Sequence, residues 1–319
     1  ENVHRVRALM DEVFGEENFI SEISTNKTTS FTSLLLSNIN DYVLWYSKTS
    51  NNIKYRQLFQ EKQVGEFGGT KYKLAKSYTV LSTYCINPKE YVVDSEITSE
   101  GAHPDTIIPE FIFRNRTYVP PLTRHWTVNV ENLRRVDRAG RIIPSKNRPR
   151  YIRFLSDFRV LPLANNWVDI GGIQSRTDPK IYVVQTATEL VKRCILMTTD
   201  PGDLVLDPTC GSGTTANVAE QWGRRWITID TSRVALALAR ARLMGARYPY
   251  YLLADSPDGQ LKEAEITQSE PSQAPTSGDI RQGFVYERVP HITLKSIANN
   301  AEIDVIWEKY QKTLEPLRE

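Results

Sequence analysis

The sequence predicts an α/β fold built on an open, mostly parallel sheet, and three observations carry that reading. A short apolar run at 204–206 stops at Asp207, and Gly211-Ser212-Gly213 then turns the chain into a helix starting near Thr214. The pattern recurs at 225–229, a run that ends at Asp230, with Thr231 and Ser232 as N-caps for a helix over 233–244. A third run, 250–254, ends at Asp255, so three successive strands each bring an acid to a carboxyl end. Ligands of open parallel sheets bind along that edge.

The remaining elements follow in chain order. Val3, Val6, Met10 and Val13 repeat with helical spacing, and strands are expected near 19–24 and 42–47. Together these make residues 1–48 part of the α/β core. Residues 49–165 are poorly periodic and rich in Tyr, Lys, Arg and Asn, with short alternating runs at 91–93 and 111–113, and read as an insert of small β elements. The core resumes over 166–255. Thr186-Ala187-Thr188-Glu189 reads as a capping box opening a helix over 189–197. The helices after the first two acids end at Gly223 and Gly245, as C-terminal caps should. Residues 256–319 hold a polar linker at 269–278, a strand near 283–289 and a helix near 301–312, with no assigned role.

The glycine turn selects its ligand by charge. Glycines there allow close approach to the main chain and open the amides of the next helix. Gly211-x-Gly213-x-x-Ala216 fits a relaxed dinucleotide pattern, but a pyrophosphate would be repelled by Asp207. A P-loop requires a lysine after the glycines, and none is present. S-adenosylmethionine (SAM) carries an ammonium and a sulfonium, both attracted by that carboxylate. Asp230 lies at the spacing at which an acid takes ribose hydroxyls. A tight turn without a ligand and an NAD site remain the alternatives. Cys210, inside the turn, is read as a small residue that fits there and not as a nucleophile.

Composition bounds the rest. The 319 residues suffice for one large or two ordinary domains. The sequence has no apolar stretch long enough for a bilayer and no signal-like start. Cys85, Cys194 and Cys210, like His4, His103, His125 and His291, are scattered without metal spacing. This points to a reducing, cytoplasmic setting, with no membrane and no metal. Net charge is only +2, yet residues 114–153 hold eleven cations against Glu131 and Asp137. Such a window, interleaved with Tyr118, Trp126, Tyr151 and Phe154, has the electrostatic footprint of a nucleic-acid surface. Its candidate contacts are Arg114, Arg116, Arg124, Arg134, Arg135, Arg138, Arg141, Lys146, Arg148 and Arg150. A solvated basic face is the alternative.

Residues 186–244, with VLDPTCGSGTT and RRWITID, resemble the C-terminal half of the amino DNA methyltransferases of the N4-cytosine/N6-adenine family. The order is similar to the permuted β-type arrangement of type III restriction-modification methylases and related site-specific adenine methylases, in which the SAM motifs come last. Residues 13–20 (VFGEENFI), 41–48 (DYVLWYSK) and 151–169 resemble the segments that precede those motifs, so the similarity spans about residues 1–255. The resemblance implies a SAM-dependent methyltransferase (Rossmann-like) sheet in which 49–165 is the DNA target-recognition region. It implies SAM as cofactor, held by Thr186, Asp207, Thr209, Gly211, Ser212, Gly213, Thr214, Asp230 and Asp255, and double-stranded DNA as partner. A restriction nuclease subunit and a homodimer are left open. It also places Tyr42, Trp45 and Tyr46 near the flipped base. Strand alternation allows only one of the adjacent pair Trp45 and Tyr46 to face that base, and core packing is the alternative.

The family's catalytic tetrapeptide, Asp/Asn/Ser-Pro-Pro-Tyr/Phe/Trp, does not occur. Val119-Pro120-Pro121-Leu122 lacks the polar and aromatic members, and Ser256-Pro257-Asp258 lacks the second proline and the ring. The expectation is therefore a fragment with no catalytic residue of its own, the motif lying upstream of Glu1. The activity implied is methyl transfer to an exocyclic amine, with adenine N6 favoured over cytosine N4 because the resemblance is closest to adenine enzymes. A non-catalytic DNA-binding module and an NAD-dependent oxidoreductase are the competing classes.

Overall fold

A computed structural model describes residues 2–26, 35–78, 86–101, 109–170 and 180–317. The chain divides into two compact units, Glu1–Gln60 with Pro162–Arg288, and Glu61–Leu161 with Val289–Glu319. The expected 256–319 extension is thus split between them, and Cys85 and His103 lie outside the described residues.

In the first unit, the helix Val3–Phe14 is fastened by its polar side. Arg7 Nε donates to Asp11 at 2.9 Å, and the Tyr46 hydroxyl donates to the same carboxylate at 2.6 Å. The strand Phe19–Asn26 pairs antiparallel with Asn40–Tyr46 and parallel with Asn166–Trp167. Ile23, Trp167, Ile170 and Met197 close a core over these strands, with Met197 coming from the helix Thr188–Thr198.

The two expected strands after the insert form as a parallel pair, Leu204–Asp207 beside Arg225–Thr228, with Asp207 opposite Thr228. Period-two alternation sends Val205 and Trp226 onto one face, where they meet Ile195, Val218 and Ala219 of the covering helices. The other face presents Leu204, Leu206 and Ile227, each about half exposed. Helices Thr214–Gln221 and Arg233–Gly245 follow the two strands as expected.

The expected third strand does not form. Residues 250–254 share an isolated antiparallel bridge, Leu253 with Phe284, and 283–289 is no strand either. The reason lies in where the backbone groups go. The Leu253 carbonyl is taken by the Ser256 hydroxyl at 2.8 Å, and that hydroxyl caps the helix Pro257–Thr267 by accepting from Gly259 N at 3.0 Å. The cap takes that one carbonyl, while Ala254 N donates to Gly283 O at 3.0 Å and Val285 N to Leu252 O at 2.9 Å, so the segment pairs antiparallel at a single bridge instead of extending the parallel pair.

In the second unit, Ile142–Ile143, Arg150–Phe154, Tyr91–Glu96 and Lys73–Leu74 form an antiparallel sheet in that order. The expected small β elements are present, but so is a helix the sequence reading did not anticipate, Val130–Arg138. Asn129 caps it by accepting from Asn132 N at 2.8 Å, and Leu133 and Val136 are fully buried. They pack with Phe111, Phe113, Trp126, Ile142 and, from the C-terminal segment, Leu294 and Ile297. The expected C-terminal helix is observed at Glu302–Leu314.

Arg141 and Asp157 form a bidentate pair at 2.8 Å on both arms, with Asp157 3% exposed and also accepting from Phe154 N. Removing one partner leaves the other charge buried without compensation. Asp157→Asn is expected to destabilise the protein by about 3–5 kcal/mol, read from urea unfolding followed by tryptophan fluorescence.

Candidate functional site

The glycine turn is held by hydrogen bonds to the neighbouring strand. Cys210 N donates to Ile229 O at 2.8 Å and Ile229 N donates to Asp207 O at 2.9 Å. Asp230 then bridges the two strand ends, its carboxylate accepting from Gly211 N at 2.9 Å and from Ser232 N at 2.8 Å. These backbone donors, Ser232 first and then Gly211, hold the Asp230 carboxyl below its ordinary value. A carboxylate offers about four acceptor sites, so two remain.

Asp207 uses one oxygen only. Its Oδ1 accepts from Thr209 N at 2.9 Å and from Thr209 Oγ1 at 3.4 Å, and its Oδ2 has no partner among the described residues. The amides of Cys210, Gly211 and Gly213 are already engaged, which leaves those of Ser212 and Thr214 at the mouth of the helix. Gly213 adopts φ +74°, and a Cβ there would stand 2.8 Å from Ala239 Cβ. Its role is close helix packing as much as ligand approach.

Ser212 and Thr214 point their hydroxyls inward. They lie 3.0 Å apart, and Arg242 donates to both, at 3.4 and 3.0 Å, while its second nitrogen reaches Thr188 Oγ1 at 3.3 Å. Sequence reasoning missed Arg242 because it lies on the helix of the next repeat. The expected capping box at Thr186 is not formed. The helix N-cap is Ala187, without a side-chain cap, and Thr186 is exposed. Thr188, the first helical residue, accepts from Arg242.

Asp255 does not join the other two acids as an open acceptor. It is 4% exposed, and its carboxylate accepts from Ser277 Oγ at 2.7 Å, from Asp279 N at 2.8 Å and from Ser277 N. These bonds, Asp279 N first, hold its carboxyl below the usual range and make it a loop staple. Of the strand aromatics, Tyr46 is committed to Asp11 and packs on Phe14 and Phe19. Trp45 packs at 5.8 Å against Tyr55 and lines an apolar cavity of about 410 Å³ with Ile20, Ile23, Leu58 and Trp167. Cys210 is buried, and no group of His, Cys, Asp and Glu among the described residues could hold a metal. No described helix is long and apolar enough to cross a membrane.

The basic window is much less open than its sequence suggests, because distant acids fold onto it. Arg135 and Arg138 both reach Asp304, each at 2.6 Å. Arg124 pairs with Glu96 at 2.7 Å, Arg150 with Asp94, Arg141 with Asp157, and Arg134 with Glu131 on the helix surface. Arg135, Arg138 and Arg141 therefore bind the unit together before they bind anything else. Arg114 sits at the tip of the hairpin between Phe111–Phe113 and Arg116–Tyr118, with φ 48°. Arg116, Lys146 and Arg148 make no ion pair among the described residues.

The sequence profile of the N6/N4 DNA methylase family matches residues 1–241. The chain belongs to that family. Along 251 residues the chain is 31% identical to the type II methyltransferase M.EcaI of Enterobacter cloacae, a match covering 76% of the chain and 51% of the relative. The chain thus spans about half the length of that relative. A shorter match, 52% identical over 62 residues, joins 19% of the chain to 23% of the type II methyltransferase M2.DpnII of Streptococcus pneumoniae. Both relatives are named as type II methyltransferases. Among solved structures, the M1.HpyAVI–SAM complex is 14% identical with a TM-score of 0.35, covering 75% of the chain and 70% of that structure.

Two outcomes follow from the turn. Asp230 contributes stability in full above its unfolded value near 3.8 and loses it as pH falls through the lower folded value. Carbon NMR titration of Asp230 should therefore give a midpoint below 3.8, and Asp230→Asn should remove that acid-side dependence. Gly213→Ala should lower stability by about 1–3 kcal/mol, read as a drop in Tm, from the left-handed backbone and the crowding against Ala239.

Proposed function

We propose that this chain binds SAM at the Asp207–Asp230 turn and duplex DNA through its second unit. It would serve methyl transfer to the exocyclic amine of a base rotated out of the helix. The observation that carries the reading is the unpartnered Asp207 Oδ2 beside the Ser212 and Thr214 amides, with Asp230 keeping two acceptor sites. This donor and acceptor set fits an amino acid ammonium, its carboxylate and a ribose diol. It does not fit a pyrophosphate, which would meet two acids.

When bound, SAM supplies an electrophilic methyl group on a sulfonium. The chain's own contribution is positioning. Asp207 would hold the ammonium, the Ser212 and Thr214 amides the carboxylate, and Asp230 the ribose. Thr209 keeps Asp207 in its orientation through the bond to Oδ1. Trp45, which lines the apolar cavity, is favoured over Tyr46 as a ring near the extruded base. Adenine N6 is the target favoured by the resemblance to adenine enzymes.

The Pro-Pro-aromatic motif that would grip the target amine is absent from these 319 residues. We infer that the chain binds both ligands and needs that motif from elsewhere for turnover. Calorimetric titration with SAM should show saturable binding, and Asp207→Ala should abolish it. Measurable SAM binding without methylation of DNA is the expected result for the chain alone. No SAM binding at all would leave a DNA-binding module, and NADH binding that S-adenosylhomocysteine does not compete would refute the methyltransferase reading.

A further inference from the structure

The second unit contains a cavity that none of the residues of the cofactor turn lines; of the cations in the basic window 114–153, Arg153 alone reaches it. Its volume is about 210 Å³, and Lys62, Ser95, Tyr151, Arg153 and His291 are among the residues around it. Strand alternation places Tyr151 and Arg153 on one face of Arg150–Phe154, and the register puts Ser95 directly opposite Tyr151.

Tyr151 is 2% exposed, and its hydroxyl has no hydrogen-bond partner. A buried orphan hydroxyl is costly and calls for a ligand or water. Burial pushes its ionisation up to about 12, so at neutral pH the group is a proton donor. Arg153 makes no ion pair or hydrogen bond among the described residues, and neither do the ring nitrogens of His291. Lys62 gives one proton to the Phe158 carbonyl and has two left. Burial, and then the charge of Arg153, holds the Lys62 ammonium below its usual value, as expected for two cations that face each other without an anion.

The acids at the same cavity do not offset these charges. Asp157 is held bidentately by Arg141, and Glu96 is paired with Arg124. The Ser95 hydroxyl already donates to the Tyr151 carbonyl at 3.5 Å. What is left is two cations and a buried phenol, all donors, around this space.

We propose that this cavity is a phosphate-binding site, with Lys62 and Arg153 neutralising the oxyanion and the Tyr151 hydroxyl donating to it. The phosphate is either a backbone phosphodiester of bound DNA or a free phosphate. The first source rests on the DNA-binding reading above, and the second does not.

Inorganic phosphate is the first probe, titrated against the full chain with NMR detection of Tyr151 and of the His291 ring. Saturable shifts are expected, weakened about 10-fold or more in Arg153→Gln and in Tyr151→Phe. The phenylalanine variant keeps the ring packing, and thermal melts confirm that each variant is folded. Duplex DNA affinity is then followed across a salt series. If the occupant is a DNA phosphate, Arg153→Gln and Lys62→Gln each weaken binding about 10-fold and reduce the salt slope by about 1, and inorganic phosphate competes. Phosphate shifts with an unchanged DNA salt slope assign the site to free phosphate. Folded variants that leave both phosphate shifts and DNA affinity unchanged, or wild-type protein without phosphate shifts, overturn the proposal. SAM binding by the same samples reports on the methyltransferase reading separately, since none of these residues lies at the cofactor turn.

Discussion

One carboxylate organises the first unit. Asp230 ends one parallel strand and reaches back to the turn that follows its neighbour, accepting from Gly211 N and, on its own side, from Ser232 N. The chain is thereby closed at the point where a parallel sheet would otherwise leave loose ends. The donors to Asp230 are backbone amides, so this closure does not rest on any donor side chain in the turn. The main chain at Asp207 is fixed by the same closure, through the bond it accepts from Ile229 N.

The acids at the strand ends divide into different roles for a simple reason. An acid stays available to a ligand only where the chain supplies few donors. Asp207 meets one residue, Thr209, and keeps an oxygen open. Asp255 meets a loop that returns at Ser277 to Asp279 and is satisfied by it. The same residue type thus keeps an open oxygen or becomes a structural anchor according to what passes over it.

This explains which parts of the chain could be read from sequence. The glycine turn, the two strands and their helices are dictated by short-range chemistry, within about twenty-five residues, and sequence reasoning placed them. The helix Val130–Arg138 was legible in principle from Asn129 and the Val130, Leu133, Val136 spacing, but its arginines drew attention to charge. The neutralising acids were not legible, because Asp94, Glu96 and Asp304 lie far from the arginines in sequence. Counting charges in a window sees one side of each pair.

One arginine carries a consequence for how the protein tolerates change. Arg242 serves three hydroxyls on two separate segments, and it can do so because a guanidinium is a flat fork with donors in two directions. An ammonium of equal charge has no such span. Exchange of one cation for another at this position, harmless on most helix surfaces, would cut the link between the entrance of one helix and the floor of the turn, and the two would drift independently.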